Sequence, residues 1–485
     1  MRADFLRQLR VLQRSVGITE KEMRAIDRAR DAELLPPSDD RFWRLQIEQI
    51  PPFESGDLDE LAATGLERLL ARVKPGWLRK QGDNPYRLRS AYLNHPLHFV
   101  NGVRLGFNLD VNGPQRFARM MLVTQDHLAG RDDLDFFSAA MFVPEIAQLG
   151  NSLDEIKELG PEADRKLAAL PSMPNELVSA TIYELLVGAA CVRKGLELTM
   201  VPEHRSNRVP DYQITNVGPI LGAIECKRRV GLTLYELDEA QHIEQLYRTV
   251  RPTLLARGLH GSIEVCFNQP VKSVSREKFR EVVMVAVDKD CKGPTHTDWG
   301  LLSFRELPYL RSIRKTRLYS PEYLRTVFDW DVLQDDWDGL ICEVEPPIEV
   351  AVEIFKAPLS LKWRCESEEA LTKKARGITS LWTSAIKQIP PGEIGFIYVA
   401  YPEGARPAIA DARTSHILKT MNEIWHRWTI RVPVTVVNRL YPRALGPGSP
   451  DLIESVLPGA AAGQEYWLKR LPCKIFTDTR PVKSV

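Results

Sequence analysis

The sequence predicts a mixed α/β fold, and three observations predict it. Between residues 175 and 267 a helical pattern is followed by three short β-rich runs, a second helical pattern and a fourth β-rich run. From about residue 339 to 438 strand-like and helix-like stretches alternate again. Up to about residue 170, by contrast, apolar residues recur at helical spacing and β signals are almost absent.

Phe5, Leu9, Leu12 and Val16 lie at helical spacing, and Thr19 with Glu22 forms a capping box ahead of the next helical stretch. Residues 133–149 and 152–170 carry helix-period apolar residues, while Pro36-Pro37 and Pro51-Pro52 punctuate the segment, so 1–170 reads as an all-helical N-terminal region. A helix from 175 to about 194 stops at Gly195. Strands are expected at 196–201, 209–215 and 221–227, a helix at 235–256 and a strand at 262–267, which makes 171–270 a compact core. Residues 271–338 read as an insertion or small module. The second α/β half, 339–440, is expected to hold strands at 340–344 and 349–355, a helix at 368–389, a strand at 394–401, a helix at 412–428 and a strand at 432–438. It could extend the sheet of the core, leaving 441–485 as a C-terminal tail, and no internal repeat stands out.

Composition narrows the function classes. A length of 485 residues suggests two or three domains, and 44% hydrophobic with 27% charged residues is the balance of a folded chain. Lys and Arg number 65 against 64 Asp and Glu, so the surface as a whole is no polycation, and any nucleic-acid site must be a local patch. The longest apolar runs, such as 282–287 and 394–401, fall far short of the ~20 residues of a membrane helix. Arg2, Arg7, Arg10 and Arg14 interrupt any secretory apolar segment. Seven cysteines without a CxxC pair point to a reducing cytosol.

The chemistry concentrates in Val209-Pro210-Asp211-Tyr212 and Ile224-Glu225-Cys226-Lys227. Asn216 to Pro219 between them reads as a hairpin turn, and pairing residue 216 with 220 sets Asp211 directly opposite Glu225. Side chains alternate along a strand, so Lys227 shares the face of both carboxylates, and Ile214, Ile224 and Cys226 point to the apolar face. Two opposed carboxylates repel unless a cation lies between them, and oxygen ligands at that spacing suit Mg²⁺ with a substrate phosphate. Lys227 beside such an ion would orient an attacking water and stabilise the charge of a phosphodiester transition state. The competing reading is a surface hairpin whose Asp, Glu and Lys form solvated cross-strand pairs.

These residues resemble the signature of the PD-(D/E)XK nuclease superfamily, whose fold is restriction-endonuclease-like: a Pro-Asp pair, a short hairpin, then Glu-x-Lys. The helix, three-strand, helix, strand order over roughly a fifth of the chain is similar as well. The resemblance implies a mixed sheet core flanked by helices, joined here to the helical N-terminal region and an elaborated C-terminal α/β half. It implies that Asp211 and Glu225 bind metal with the Cys226 backbone carbonyl, and that Lys227 serves the water. Tyr183-Glu184-Leu185-Leu186 fits the acidic position that family members carry on the first helix, so Glu184 would support a metal or its waters. The neighbours of Glu184 on that helix, Ala180, Thr181, Gly188 and Cys191, are small and uncharged, so its carboxylate needs a partner, metal or salt bridge. The implied cofactor is Mg²⁺, with Mn²⁺ able to substitute. The implied activity is phosphodiester hydrolysis leaving a 5′-phosphate, by a DNA endonuclease of the bacterial restriction or anti-phage kind. A nuclease directed at RNA and a non-cleaving scaffold that binds nucleic acid are the alternatives.

Contacts to nucleic acid are expected from three places. Arg228 and Arg229 come directly after the catalytic strand. Arg79, Lys80, Arg87 and Arg89, with Arg72 and Lys74, are interleaved with Trp77, Tyr86 and Tyr92, a mix suited to phosphate contact and base stacking. Arg314, Lys315 and Arg317, with Arg311, lie near Tyr309 and Tyr319. A solvated basic face is the alternative for each cluster. Double-strand cleavage needs two reactive centres, which a homodimer or a partner protein would bring together.

Overall fold

The computed structural model describes residues 55–82, 97–100, 103–105, 115–130, 136–203, 209–215, 222–288, 293–307, 336–343, 359–390, 393–404, 406–428, 434–446, 449–460 and 466–477, with positions 324, 325, 328, 329 and 432 besides. Two mixed sheets and the helices around them make an α/β architecture.

The N-terminal helices are α1 (Ser55–Leu70), α2 (Trp77–Gly82), α3 (Arg116–Leu128), α4 (Phe136–Asn151), α5 (Leu153–Glu158) and α6 (Pro161–Ala169). Almost every residue of α4 is buried, because α1 and α3 cover one side of it and the strands at 434–446 and 449–460 cover another. Gly65 and Gly150 let the α1 and α4 backbones touch: a Cβ on Gly150 would sit 2.1 Å from the Gly65 carbonyl oxygen. The stretch expected as one helix over 152–170 is broken at Gly160, which takes φ +95°.

The expectation of an all-helical N-terminal region is corrected by β1 (Leu97–Val100) and β2 (Val103–Leu105), an antiparallel pair with Val100 opposite Val103. Asn101-Gly102 between them is the residue pair that favours a two-residue hairpin. The Thr19–Glu22 capping box and the helix ahead of it lie outside the described residues.

Helix α7 (Asn175–Arg193) is long and apolar because it packs inside the molecule, with Ile182, Tyr183, Leu185, Leu186 and Ala190 all fully buried. After Gly195 (φ +78°) come β3 (Leu198–Met200), β4 (Tyr212–Ile214) and β5 (Gly222–Arg228), each antiparallel to the next. Helix α8 (Leu234–Ala256) starts at a capping box of Thr233 and Glu236 and leads to β6 (Gly261–Phe267).

Strand β6 departs from the expected core. It does not join β5; it belongs to the second sheet. That sheet continues through α9 (Arg276–Asp288), β7 (Thr295–Thr297), β8 (Gly300–Glu306), β9 (Gly339–Glu343) and β10 (Leu359–Cys365), in the order β2-β1-β9-β10-β6-β8-β7. Residues expected as a separate insertion thus supply β7 and β8 beside β6. The strand expected at 349–355 lies outside the described residues, and β10, which comes after it, was not expected.

The neighbour of β5 comes from the far half of the chain. Helix α10 (Glu368–Ile386) leads to β11 (Ile394–Pro402), which runs parallel to β5 with Ile397 beside Glu225. Helix α11 (Pro407–Trp428), β12 (Val434–Gly446) and β13 (Ser449–Ala460) complete a site sheet of order β13-β12-β11-β5-β4-β3. The segment expected as a C-terminal tail therefore holds most of a long antiparallel strand pair and α12 (Tyr466–Arg470). One face of the site sheet, with Tyr212, Ile224, Tyr398 and Val436, packs on α7; the other, with Ile397, Val399 and Val437, packs on Trp382 of α10 and Ile417 of α11. The second half thus extends the sheet of the core through β11 and β12, while β6, expected in that sheet, lies in the other one, because alternation fixes a strand's faces but not its neighbours.

Candidate active site

The β4–β5 hairpin pairs Tyr212 with Ile224, Gln213 with Ala223 and Ile214 with Gly222. One step further along this register Asp211 stands opposite Glu225, the pairing expected from the turn. Tyr212, Ile224 and Cys226 join the apolar core against α7, and alternation puts Asp211, Glu225 and Lys227 on the other side of the strands. Asp211 Oδ2 accepts the Cys226 amide at 2.7 Å, and the Asp211 carbonyl accepts the Val201 amide at 2.9 Å, so its carboxylate is pinned to the head of β5. Glu225 has no exposed surface. Its Oε1 is ion-paired with Lys227 Nζ, while its Oε2 is buried and accepts no hydrogen bond.

Glu184 reaches the same centre from α7. The Tyr212 hydroxyl donates to the Glu184 carbonyl at 2.9 Å, tying the helix to β4 next to Asp211. The partner that the Glu184 carboxylate needs is Lys166 of α6, whose Nζ lies 2.8 Å from Glu184 Oε2 and 2.7 Å from Glu203 Oε1. Sequence reasoning missed Lys166 and Glu203. Lys166 is distant from the motif in the chain and Glu203, eight residues before Asp211, carries no pattern that marks it; the signal was the acid on a close-packed helix stripe.

Burial and mutual repulsion set the protonation of these groups. Burial pushes the Asp211 carboxyl well above the usual carboxylate range, with Glu184 and Glu225 adding to the rise and the Cys226 amide and Lys227 opposing it. Burial raises Glu225 to about 7 against the pull of Lys227, and it raises Glu184 against the pull of Lys166. Burial acts to lower Lys227, but Glu225 and Asp211 together outweigh it, so the ammonium is held more firmly than usual; Lys166 is likewise raised, by Glu184 and Glu203 against burial.

A divalent cation fits this donor set. Among the described residues, Glu184 and Glu203 pair with Lys166 and Glu225 pairs with Lys227, so four carboxylates, once ionised, share two lysines, and the Glu225 Oε2 atom is a buried acceptor without a donor. Among the described residues, however, no three His, Cys, Asp or Glu side chains are gathered at ligating distance. Lys166 instead holds Glu184 and Glu203, Lys227 holds Glu225, and the Cys226 amide holds Asp211.

The expected nucleic-acid contacts fare differently. Arg228 is corrected: its side chain is 1% exposed, ion-paired with Glu145 of α4, donating to the Ser179 carbonyl at 3.0 Å and lying 5.0 Å over the Phe476 ring. Arg229 is half-buried; burial lowers its pKa, with Glu236 opposing and Arg413 adding to the fall. Arg79 and Lys80 are exposed on α2. Arg87, Arg89, Arg314, Lys315 and Arg317 lie outside the described residues. Compared with family models, curated proteins and solved structures, the chain finds no match.

Proposed function

We propose that this chain is a Mg²⁺-dependent nuclease that hydrolyses phosphodiester bonds, acting on DNA before RNA. The observation that carries the reading is the hairpin register that sets Asp211 against Glu225, with Lys227 beside them and Glu184 closing in from α7. The order α7, β3, β4, β5, with β11 parallel beside β5 and α10 over both, supports the PD-(D/E)XK resemblance at the level of topology. In this chain the strand beside β5 comes from the distant C-terminal half.

Asp211, Glu225 and Glu184 would hold the ion, which when bound supplies neutralising charge to the phosphate under attack. Asp211 is positioned by two backbone bonds, so its carboxylate needs little reorganisation on binding. Lys227 keeps its proton and can donate to an attacking water or to a phosphate oxygen. Glu225 at about 7 sits where a small change in pH or a bound cation decides its charge.

Cleavage of circular and linear, single- and double-stranded DNA and of RNA, with Mg²⁺ or Mn²⁺, tests the proposal. Wild type is expected to cut, and Asp211→Asn and Lys227→Ala, folded by circular dichroism, to lose at least about 100-fold. A wild-type chain inert on every substrate, or variants that cut as well as wild type, would sink it.

A further inference from the structure

The second sheet holds an antiparallel strand pair that matches the first sheet's hairpin, with two of its three charges reversed. Strands β9 and β10 pair antiparallel with Gly339 opposite Trp363, so Asp338, one residue before β9, stands opposite Arg364 as Asp211 stands opposite Glu225. Asp338 Oδ2 accepts the Cys365 amide at 2.7 Å, the bond that Asp211 Oδ2 makes with the Cys226 amide at 2.7 Å. Aligned on these cysteines, Ile224-Glu225-Cys226-Lys227 corresponds to Trp363-Arg364-Cys365-Glu366: the second acid has become a cation, and the lysine an acid.

The segments after the two hairpins correspond as well. A hydroxyl N-cap, Thr233 or Ser367, opens a long helix, α8 or α10, and the helix leads to a strand, β6 or β11. Each of those strands pairs in parallel with the other hairpin: β6 with β10, and β11 with β5.

Protein cations fill the second centre. Arg406 Nη1 donates to Asp338 Oδ1 at 2.5 Å and to the Cys365 carbonyl at 2.7 Å, bridging a carboxylate and a carbonyl of the hairpin. Lys374 Nζ lies 2.8 Å from Asp338 Oδ2 and 2.5 Å from Glu239 Oε1. All four side chains are buried.

We infer that residues 209–267 and 336–402 are two copies of one ββαβ unit with exchanged last strands, and that the Asp338 centre is a closed copy of the Asp211 centre in which Arg406 and Lys374 stand where a divalent cation would. The inference rests on the proposed function for what the Asp211 centre accepts. Its consequence is that cation binding in this chain belongs to Asp211, while the second centre is structural.

Mn²⁺ binding to the full chain, by calorimetric titration, and thermal unfolding with and without Mn²⁺ test the inference. Mn²⁺ uptake is expected to vanish in Asp211→Asn and to persist in Asp338→Asn, whose melting temperature falls because two buried cations lose the carboxylate they share. Uptake that vanishes in Asp338→Asn and persists in Asp211→Asn overturns it. In the Asp211→Asn background, Arg406→Ala with Arg364→Glu reopens the second centre, and a Mn²⁺-dependent rise of a few degrees in melting temperature is expected. A folded variant without that rise overturns the inference; if this variant does not fold, the Asp338→Asn comparison decides. A wild-type chain that takes up no Mn²⁺ supports closure at Asp338 and overturns the nuclease reading at Asp211, so the two failures are separable.

Discussion

Glu225 ties stability to pH. Its carboxyl keeps its proton to about pH 7 when folded, against a value of 4.5 when solvated, so the folded chain binds that proton more tightly. The stabilisation from this group is complete below pH 4.5 and is lost as pH rises through 7. Metal-free wild type should lose up to about 3 kcal/mol more between pH 5 and pH 8 than Glu225→Gln, read by urea unfolding. A cation prefers the ionised form, so cleavage should climb as pH passes through about 7. Arg228 belongs to a different category of residue. Removing one member of its buried pair with Glu145 strands the other, and Arg228→Ala should cost about 3–5 kcal/mol in denaturant unfolding.

Helix α7 and strand β4 locate the site as elements. Gly188 faces the Tyr212 ring so closely that a Cβ there would lie 2.5 Å from the hydroxyl oxygen and 2.8 Å from Leu159 Cδ1. That same hydroxyl binds the Glu184 carbonyl, so the glycine sets how near α7 comes to the strand that begins beside Asp211. Gly188→Ala should cost about 1–3 kcal/mol from overpacking and reduce cleavage by displacing Tyr212 and with it Asp211. A thermal melt and a cleavage assay on one preparation check both parts. A variant with wild-type stability and rate would mean that the approach is slack.

At the scale of the molecule, the exchanged strands bind the two sheets into one cooperative body. Helix α10 contributes Ala370 to the core of the second sheet and Trp382 to that of the site sheet, so one element is anchored in both. Buried charges join them as well: Arg413 of α11 pairs with Glu236 of α8 and with Glu403 after β11. Calorimetric unfolding should therefore show the site sheet and the second sheet melting together, with Arg413→Ala lowering that transition rather than splitting it. Two separate transitions in wild type would contradict a body held by strand exchange.

Much of this protein could be read from its sequence because it is local. The α/β class, helix α7 and its stop at Gly195, the hairpin register opposing Asp211 to Glu225, and the need of Glu184 for a partner all come from periodicity, turn chemistry and the cost of burying a charge. The tertiary structure decided what lies beside what. Strand β5 found its neighbour in β11 rather than in β6, Glu184 found Lys166, and Arg228 turned inward to Glu145. A strand's alternation specifies its two faces but leaves its hydrogen-bonding edges open to any partner, and a charge specifies only that it must be paired. The chain's own packing makes that choice, over separations that no local pattern encodes.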